Sequence, residues 1–528
     1  MKERMKKIGE CLEGISGRAV QIIAIMILTY LSYWTAKSTF RYPLDYSRNE
    51  VLEYADSPMK NLLVVGVAVL VFYLFRCLLL GEKIDEEKKR KRVFFLAMAD
   101  MIAVAVLLTA WVTVNKLEPM DDPQMIYMAV TSFRQGDFSK MQQYFYYQMY
   151  PHQYGLILLE ELLTLIWQSY RVIQYLNVLF ICLIIFLLYR ITDLLFHDSA
   201  VDLYCLMGTT AFLPLHLYVT YVYGDICSIA LSLAVVWCLL KWDNDTKWRY
   251  IVLAIICAMI AVLARKNTLI SLLAVMIACV FLAWKKWSWK PLLFGLCLLV
   301  FPMGAQRGVK EFYELRSGIE ISDGLPATTW IAMGMQGSWG GHGVWNGYTE
   351  HTWGRFVEEE DAQIKRKEFT LSTIQGRMEE FKEDPQMAKD FYRLKILEQW
   401  AEPSYSSLAI NGSSAVGSGG LTEWIYVGVI PDLICRFQNY FQFLLYFLSL
   451  CCLVDALRRK APVRDQVLLI LLIGGFLFSV LWEAKARYVF PYVVALLPYM
   501  AKGARVLQNA VYWLIKHVRA LLPITLKQ

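Results

Sequence analysis

Long apolar runs alternate with short polar segments along most of the chain. The first run, AVQIIAIMILTYLSYWTAKS, is long enough to cross a bilayer core of about 30 Å as a helix. The expected fold class is therefore an all-α polytopic membrane protein with amphipathic helices beside the membrane. The pattern predicts about twelve transmembrane helices, at 19–38, 61–80, 93–114, 172–189, 202–220, 225–241, 249–264, 268–284, 291–305, 436–454, 466–482 and 488–503.

One further apolar segment carries charge. This segment, HQYGLILLEELLTLIW at 152–167, contains Glu160 and Glu161. Two carboxylates in contact with lipid would be costly. We therefore predict a helix that lies at the outer interface or dips partway into the bilayer. The alternative is an additional span that pairs with a re-entrant segment elsewhere in the chain.

The composition agrees with a membrane protein, because 57% of the 528 residues are hydrophobic and only 19% are charged. A soluble chain of this length would need a more polar surface. The formal net charge of +7 does not indicate nucleic-acid binding, since the basic residues cluster in short loops between spans. The twelve cysteines lie mostly in apolar runs without metal-binding spacing, which favours buried thiols over disulfides.

The basic loops predict the orientation of the chain. The first apolar run is too long for the core of a cleaved signal peptide, so we expect an uncleaved span that follows cytoplasmic residues 1–18. With that start, four clusters of Lys and Arg fall on the cytoplasmic side, as the positive-inside rule requires. They lie at 81–92, 241–249, 285–290 and 458–464. The segments 115–171 and 306–431 are then extracytoplasmic.

Four parts follow from this topology. We expect an N-terminal cytoplasmic segment with two accessory spans, a transmembrane core that includes the first outer loop at 115–171, a large and mainly helical extracytoplasmic loop, and C-terminal spans. The last part ends in NAVYWLIKHVRALL, which has the spacing of a basic amphipathic helix on the cytoplasmic membrane face. The four parts lie at 1–92, 93–305, 306–435 and 436–528.

The first outer loop opens with two adjacent acids. The stretch KLEPMDDPQMIYMAV places Asp121 and Asp122 directly before Pro123, at a predicted helix start. Either carboxylate could cap that helix, or the pair could serve chemistry, and the two roles do not exclude each other. Further along, YFYYQMYPHQYG contains Tyr150 and His152. This stretch suits either an aromatic belt at the lipid headgroups or a wall that stacks on sugar rings.

The large outer loop contains a segment rich in Gly and Trp, DGLPATTWIAMGMQGSWGGHGVWNGYTEHTW, at 323–353. Glycine lets a backbone approach a ligand closely, and indole rings offer flat apolar faces with one donor. The composition suits a carbohydrate; the alternative is a loop that packs on the membrane surface. We take Trp339, His342 and Trp345 of this segment, with Tyr150 and His152, as candidate substrate-binding residues.

Two basic pairs run against the positive-inside bias. Arg265 and Lys266 lie at the outer end of one predicted span, and Lys485 and Arg487 lie at the outer start of another. Such cations could extend to the lipid headgroups, or they could bind a phosphate, whose oxygens guanidinium groups clamp well. Because both pairs face the side of the two aspartates, we favour phosphate binding.

Four stretches resemble the C-type (GT-C fold) glycosyltransferases, polytopic enzymes such as protein O-mannosyltransferases and lipid A aminoarabinose transferases that use polyprenyl-phosphate sugars. The likeness covers roughly 93–500. The stretches are EPMDDPQMIYMAVTSFRQGDF, YPHQYGLILLEELL, YRVIQYLNVLFICLIIFLLYR and ARYVFPYVVALLPYM.

The resemblance implies an inverting sugar transfer. A carboxylate of the first outer loop, Asp122 before Asp121, would act as general base or bind a divalent metal. Arg265, Lys266 and Arg487 would hold the phosphate of the donor. The sequence itself leaves the metal open.

We therefore expect a multi-pass protein, with a bacterial cell membrane favoured, that transfers a sugar from a polyprenyl-phosphate-linked donor to an extracytoplasmic glycan, lipid or protein. Its partners would be that donor, that acceptor and membrane lipids, without nucleic acid. The alternatives are a transporter or flippase, and a polymerase or ligase, of lipid-linked saccharides. A transporter should show internal repeats with broken helices at the membrane midplane, and the sequence shows no repeat.

Overall fold

The computed structural model describes residues 2–43, 51–81, 83–143, 145–338, 340–457 and 463–521. Over these residues the chain forms 24 α-helices and two small antiparallel two-stranded sheets. The predicted all-α class is confirmed, and the large loop between the later spans is mainly helical, as expected.

The first half of the chain folds into long helices joined by short connections. The helices are α1 (Lys2–Lys37), α2 (Pro58–Leu80), α3 (Glu86–Val114), α4 (Asp122–Arg134), α5 (Lys140–Gln143), α6 (Phe145–Met149), α7 (Tyr154–Thr164), α8 (Arg171–Phe196), α9 (Ser199–Ala211), α10 (Leu213–Leu217), α11 (Asp225–Asp245) and α12 (Trp248–Ala264). Strands β1 (Ser38–Arg41) and β2 (Leu52–Ala55) pair between α1 and α2.

The second half mixes long helices with the shorter helices of the large loop. The helices are α13 (Leu269–Lys286), α14 (Lys290–Ser317), α15 (Thr328–Gly334), α16 (Tyr348–Arg355), α17 (Ala362–Glu383), α18 (Pro385–Trp400), α19 (Ala409–Ala415), α20 (Gly420–Tyr426), α21 (Val429–Ala456), α22 (Val467–Leu481), α23 (Ala486–Val494) and α24 (Leu497–Leu521). Strands β3 (Gly337–Ser338) and β4 (Gly341–His342) form a hairpin. Single 3₁₀ turns lie at Pro151–Gln153, Tyr218–Thr220, Lys266–Thr268 and Val463–Gln466.

Eight helices in the described part of the chain are long and apolar enough to cross a membrane. A ninth span is obtained if α9 and the following segment to Thr220, which meet at a bend of 53°, are counted together. Pro214 lies in the first turn after that bend, where a missing N–H costs no helical hydrogen bond. The protein is thus an integral membrane protein, but the expected count of about twelve spans is not confirmed.

The remaining three predicted spans differ from that expectation in length or continuity. The predicted spans at 249–264 and 466–482 correspond to α12 and α22, apolar helices of 17 and 15 residues. The predicted span at 488–503 is interrupted between α23 and α24, because Pro498 starts a new helix. The first half of helix α24 is mostly buried, whereas its residues 509–518 are exposed.

The charged segment at 152–167 contains a helix too short to cross a bilayer. Helix α7 has 11 residues, which at ~1.5 Å per residue gives about 16 Å. Glu161 accepts hydrogen bonds of 2.7 Å from Tyr313 and from Arg316, both on α14. Arg316 also donates to the Phe133 carbonyl at 2.7 Å. The far end of α14 therefore holds α7 and α4 together, in agreement with the prediction that this segment does not span.

Helices α11, α12 and α13 form the part of the bundle that carries the candidate site. Helix α11 packs against α8 and α12, and α13 packs against α14, α22 and α1. Helix α23 follows α22 and packs on it. The ends of these helices bring the segments 221–225, 264–268 and 482–488 to one place.

Candidate functional site

A close backbone approach fixes the first wall of the site. Gly224 precedes α11, and a Cβ at this position would lie 2.2 Å from the Ala264 carbonyl oxygen at the end of α12. Only glycine fits there without movement. The turn at 221–224 can therefore lie directly against the end of α12, which sets Asp225 beside Arg265.

Arg265 is held by one carboxylate and two aromatic rings. Its Nη2 lies 3.4 Å from Oδ1 of Asp225, and both side chains are mostly buried. Its guanidinium carbon lies 4.8 Å from the ring centroid of Tyr223 and 5.9 Å from that of Tyr488. Both distances allow attraction between the cation and the ring face.

Arg487 reaches the same tyrosines from the opposite wall. Residues 482 and 485 have extended backbone conformations, so Glu483, Lys485 and Arg487 follow one another at alternate positions. The Arg487 side chain is 4% exposed, and its Nη1 donates a hydrogen bond to the Tyr221 hydroxyl. Its guanidinium carbon lies 5.2 Å from the ring centroid of Tyr223. The two arginines predicted to bind phosphate therefore meet.

A cavity of about 30 Å³ lies between the two arginines. A water needs ~10–15 Å³ of such space, so the cavity has room for two or three waters. It lies among the starts of α11 and α13 and helix α23. The lining residues include Asp225, Ser228, Ser232, Arg265, Asn267, Thr268, Ser271, Arg487 and Tyr488.

The acid pair lies at the start of α4, as predicted. Asp121 is the residue before the helix, and its side chain makes no capping hydrogen bond. Its backbone has φ 54 and ψ −130, a conformation that L residues seldom adopt. Asp122 is the first residue of the helix and is partly exposed. The Asp121 side chain therefore does not cap helix α4, which was the alternative to a chemical role.

The charge of the Asp122 carboxylate affects the pKa of the same tyrosine that the two arginines contact. Burial raises the pKa of Tyr223, and the negative charge of Asp122 raises it further, whereas Arg265 and Arg487 lower it. Gln153 also donates to the Tyr223 hydroxyl at 2.5 Å. The charges of the acid and of both cations therefore reach one phenol. We call the group of residues Asp122, Tyr223, Arg265, Lys485 and Arg487 the arginine cleft.

A third carboxylate, Glu483, belongs to the arginine cleft, although sequence reasoning did not select it. Burial raises the pKa of Glu483, nearby Lys485 and Arg487 lower it, and Asp122 raises it again. The Tyr488 hydroxyl donates to this carboxylate at 3.2 Å. The available signal was the run of alternating charges in EAKAR, in which Glu483 and Lys485 lie two residues apart in an extended segment directly before Arg487 of α23.

Lys485 connects the cleft to both aspartates. Burial lowers the pKa of Lys485, Arg487 lowers it further, and Glu483, Asp122 and Asp121 raise it. The whole acid pair therefore lies within electrostatic range of this cation.

Tyr150 and His152 lie at the edge of the cleft. Burial lowers the pKa of His152 to about 3, with a further decrease from the charges of Lys266 and Arg265. Lys266, whose side chain is exposed, therefore lies on the same side of the cleft as His152. The ring of Tyr150 lies 6.3 Å from that of Trp330, which stacks on Trp482 at 5.5 Å.

The Gly/Trp segment supplies Trp345 and His342 in different environments. Trp345 is half exposed, and its indole N–H donates to Glu350 at 3.2 Å. His342 is held by Glu398 of α18, through its backbone N–H and its Nδ1, both at 2.8 Å. Trp339 lies outside the described residues. The structure thus brings the two arginines together at Tyr223. Tyr150, His152 and the acid pair lie within electrostatic range of residues of the arginine cleft, and Lys266 lies within range of His152, while His342 is bound to α18.

No group of three or more His, Cys, Asp or Glu side chains in the described ranges is arranged to hold a metal ion. The role of a divalent metal stays a prediction.

The solved structures similar to this chain include two of an oligosaccharyltransferase from Archaeoglobus fulgidus, one of them described as AglB. One was solved in complex with an inhibitory peptide and a dolichol-phosphate, and the other in the apo form. Each shares 14% sequence identity with this chain at a TM-score of 0.39. The alignments cover 82% of this chain but only 52% and 53% of the archaeal chains, so the protein spans about half of their length. No protein-family model and no curated protein matches the sequence.

Proposed function

We propose that this protein is a membrane glycosyltransferase that transfers a sugar from a polyprenyl-phosphate-linked donor to an extracytoplasmic glycan, lipid or protein. One observation carries the proposal: two buried arginines from different parts of the chain, Arg265 and Arg487, meet at the ring of Tyr223. The charge of Asp122 also reaches Tyr223, which supports a base in the same neighbourhood.

The arginine cleft has the chemistry that a lipid-linked phosphate needs. Arg265 and Arg487 are buried between aromatic rings, where water screens their charge poorly. Guanidinium groups donate several hydrogen bonds in a fixed fork that matches phosphate oxygens. The cleft lies at helix ends that the charge pattern predicts to be extracytoplasmic. A polyprenyl chain would remain in the lipid while its phosphate bound the two guanidinium groups, which would move apart to admit it because the cavity between them holds only two or three waters.

The proposed step breaks the bond between the anomeric carbon and the phosphate oxygen. An acceptor hydroxyl attacks the anomeric carbon from the opposite face, which inverts the configuration. The electron pair of the broken bond stays on the phosphate oxygen, and the hydroxyl proton passes to the Asp122 carboxylate. The products are the glycosylated acceptor, polyprenyl phosphate and a protonated Asp122. Arg487 stabilises the charge that develops on the leaving phosphate.

Asp122 is the preferred base over Asp121. The negative charge of Asp122 raises the pKa values of Tyr146, Tyr150 and Tyr223. Asp121 contributes to none of these three shifts and raises only the pKa of Lys485. Asp122 is also partly exposed, so an acceptor can reach it. Asp121 holds the strained backbone that aims the first turn of α4.

The acceptor would enter along the aromatic edge of the cleft. Tyr150 and Trp330 lie at that edge. Trp345, from the same loop as Trp330, is half exposed and is fixed by its hydrogen bond to Glu350. A fixed aromatic face of this kind favours stacking with a sugar ring. Of the three acceptor classes, this favours a glycan or a glycolipid.

A transporter of lipid-linked saccharides is the second candidate. The bend of 53° between α9 and the segment Leu213–Thr220 is a broken helix, as transporters often have. Asp100, in the middle of α3, hydrogen bonds to Thr210 at 2.9 Å beside that break. The broken helix favours a transporter, and the arginine cleft favours the transferase.

The test is transfer of radiolabelled sugar from a panel of polyprenyl-phosphate sugars in membranes. We expect Asp122→Asn to lose at least 100-fold in rate, since a general base contributes about 10²–10⁴. Asp361→Asn is the matched control for Asp121→Asn, because Asp361 also precedes a helix without a side-chain cap. Full transfer by both Asp121→Asn and Asp122→Asn would refute the base. Translocation without donor consumption would establish the transporter.

A further inference from the structure

Asp225 is a buried carboxylate for which the proposed reaction gives no role. It is 6% exposed, at the first position of α11. One carboxylate oxygen pairs with Arg265, and the other, Oδ2, has no hydrogen-bond partner among the described residues. An unpaired buried carboxylate oxygen is costly, so its retention beside the site requires a reason.

The cavity between the arginines gives that reason. Asp225, Arg265 and Arg487 are the charged side chains among its lining residues. The remaining polar atoms of the lining come from Ser228, Ser232, Asn267, Thr268, Ser271 and the two tyrosines. Within this lining the two guanidinium groups and the one carboxylate leave a net charge of one positive unit; Asp122, Glu483 and Lys485 of the arginine cleft do not line the cavity. Without Asp225 the same wall would carry two.

The charge of a lipid phosphate changes during sugar transfer. The donor is a phosphodiester with one negative charge. The released polyprenyl phosphate is a phosphomonoester, which carries about 1.5–2 negative charges at pH 7 because its second pKa is about 6. A phosphate-binding wall with a net charge of +1 neutralises the single negative charge of the donor but only part of the charge of the product. A wall with a net charge of +2 would neutralise the product.

We infer that Asp225 is a specificity-determining residue that sets the net charge of the phosphate-binding wall to one, so that donor is favoured over product and the product leaves. This inference rests on the proposed use of the arginine cleft for a lipid-linked phosphate. Asp225 acts through Arg265 and through the cavity; it does not touch the reacting carbon.

Two simple lipids isolate the charge from the identity of the sugar. Farnesyl phosphate stands for the product, and farnesyl methyl phosphate, a monoanionic diester, stands for the donor. The affinity of purified full-length protein in detergent is measured for both at pH 7.5, and the ratio of the two affinities is the readout. Asp225→Asn should raise the preference for the monoester by about tenfold or more, since one charge is left uncompensated in a poorly screened site.

A charge series keeps the test independent of any one variant. Arg265→Gln leaves a wall of charge zero, the wild type and the double variant Asp225→Asn with Arg265→Gln leave +1, and Asp225→Asn leaves +2. The preference for the monoester should follow that order, with the double variant equal to the wild type. Asp225→Glu, which keeps the charge, should restore the wild-type ratio. A purely structural role would lower both affinities in every variant without this order.

The pH dependence provides a second readout. At pH 5 farnesyl phosphate is mainly monoanionic, so the excess preference of Asp225→Asn should disappear. An unchanged ratio in Asp225→Asn, or a ratio that does not follow the charge series, overturns the role of Asp225. If the wild-type protein binds neither lipid, the proposed function itself fails. Wild-type binding of both lipids with an unchanged ratio in the variants refutes only this inference.

Discussion

The guanidinium carbons of Arg265 and Arg487 lie 4.8 Å and 5.2 Å from the ring centroid of the same residue, Tyr223. Two buried cations over one ring repel each other, and among the described residues only Arg265 has a carboxylate partner within salt-bridge distance, Asp225. Arg487 has Tyr221 and Tyr488 around it. This arrangement supports the proposal that the two arginines bind a phosphate.

Removal of Arg487 should weaken donor binding more than any other single change in the cleft. We expect Arg487→Gln to raise the KM for the lipid donor about 100-fold, within the 2–5 kcal/mol range for truncation of a buried, hydrogen-bonded charge. Arg487→Lys should recover only part of this, because an ammonium group lacks the planar fork. The measurement is initial rate against donor concentration in membranes. Arg436→Gln, at an exposed arginine on α21, is the control. Equal KM values for the two Gln variants would contradict the assignment.

The sequence selected several residues of this cleft because they break membrane rules. Asp121 and Asp122 form a charge pair directly after a span, and Arg265 and Lys266 run against the positive-inside bias. Arg265 lies over the ring of Tyr223, which the charge of Asp122 also reaches. The helices were predicted for a similar reason: long apolar runs such as the one in α8 leave few alternatives.

The rest of the cleft followed no rule visible in the sequence. Tyr221 and Tyr223 follow the predicted span at 202–220, and Glu483 follows the predicted span at 466–482, but no charge or spacing rule selects them. Their role depends on which loops meet, and that depends on close approaches such as the one at Gly224. The span count differed because α12 and α22 are near the lower length limit for a span and Pro498 interrupts another.

His152 should remain neutral through the working pH range. Burial and two nearby cations lower its pKa to about 3, against an ordinary value near 6.5. In the unfolded chain it takes up a proton at about pH 6.5, so the folded state loses stability as the pH falls from there towards 3. His152→Gln should therefore flatten the decrease of the thermal midpoint between pH 7 and pH 5. His517→Gln, at an exposed position on α24, should not. An NMR titration of His152 with a midpoint above 6 would contradict this prediction.

The pair between Arg316 and Glu161 should control activity from a distance. Arg316 joins α14 to α7 and to the Phe133 carbonyl on α4, the helix that begins with Asp122. Arg316→Met leaves Glu161 nearly buried without its cation, a change that costs ~3–5 kcal/mol when both charges are fully buried and less here. We expect a lower thermal midpoint and a reduced transfer rate with an unchanged donor KM. Arg307→Gln, on the exposed side of the same helix, should do neither. A donor KM that rises with Arg316→Met would place this arginine in the cleft instead.

Lys395 should stabilise the junction between the large loop and the membrane helices. Its ammonium group is fully buried and donates to the carbonyls of Gly334 and Val480, near the ends of α15 and α22. Lys395→Met removes both donors and leaves two buried carbonyls unpaired, at about 1–3 kcal/mol each. We expect a thermal midpoint lower by several degrees in detergent. Lys389→Met, exposed on the same helix α18, is the matched control and should leave the midpoint unchanged. A midpoint equal to that of Lys389→Met would show that the junction does not need the ammonium group.

Gly224→Ala should disconnect the two walls of the arginine cleft. The added Cβ would lie 2.2 Å from the Ala264 carbonyl oxygen and 3.0 Å from its Cβ, so the turn before α11 must move away from α12. Such overpacking costs about 1–3 kcal/mol, and it separates Asp225 from Arg265. We expect a donor affinity at least tenfold lower, measured by competition with farnesyl phosphate. Gly304→Ala, in a helix with open space around its Cβ, should retain wild-type affinity. If Gly224→Ala binds as the wild type does, the salt bridge does not depend on this approach, and the turn must hold Asp225 in place by other contacts.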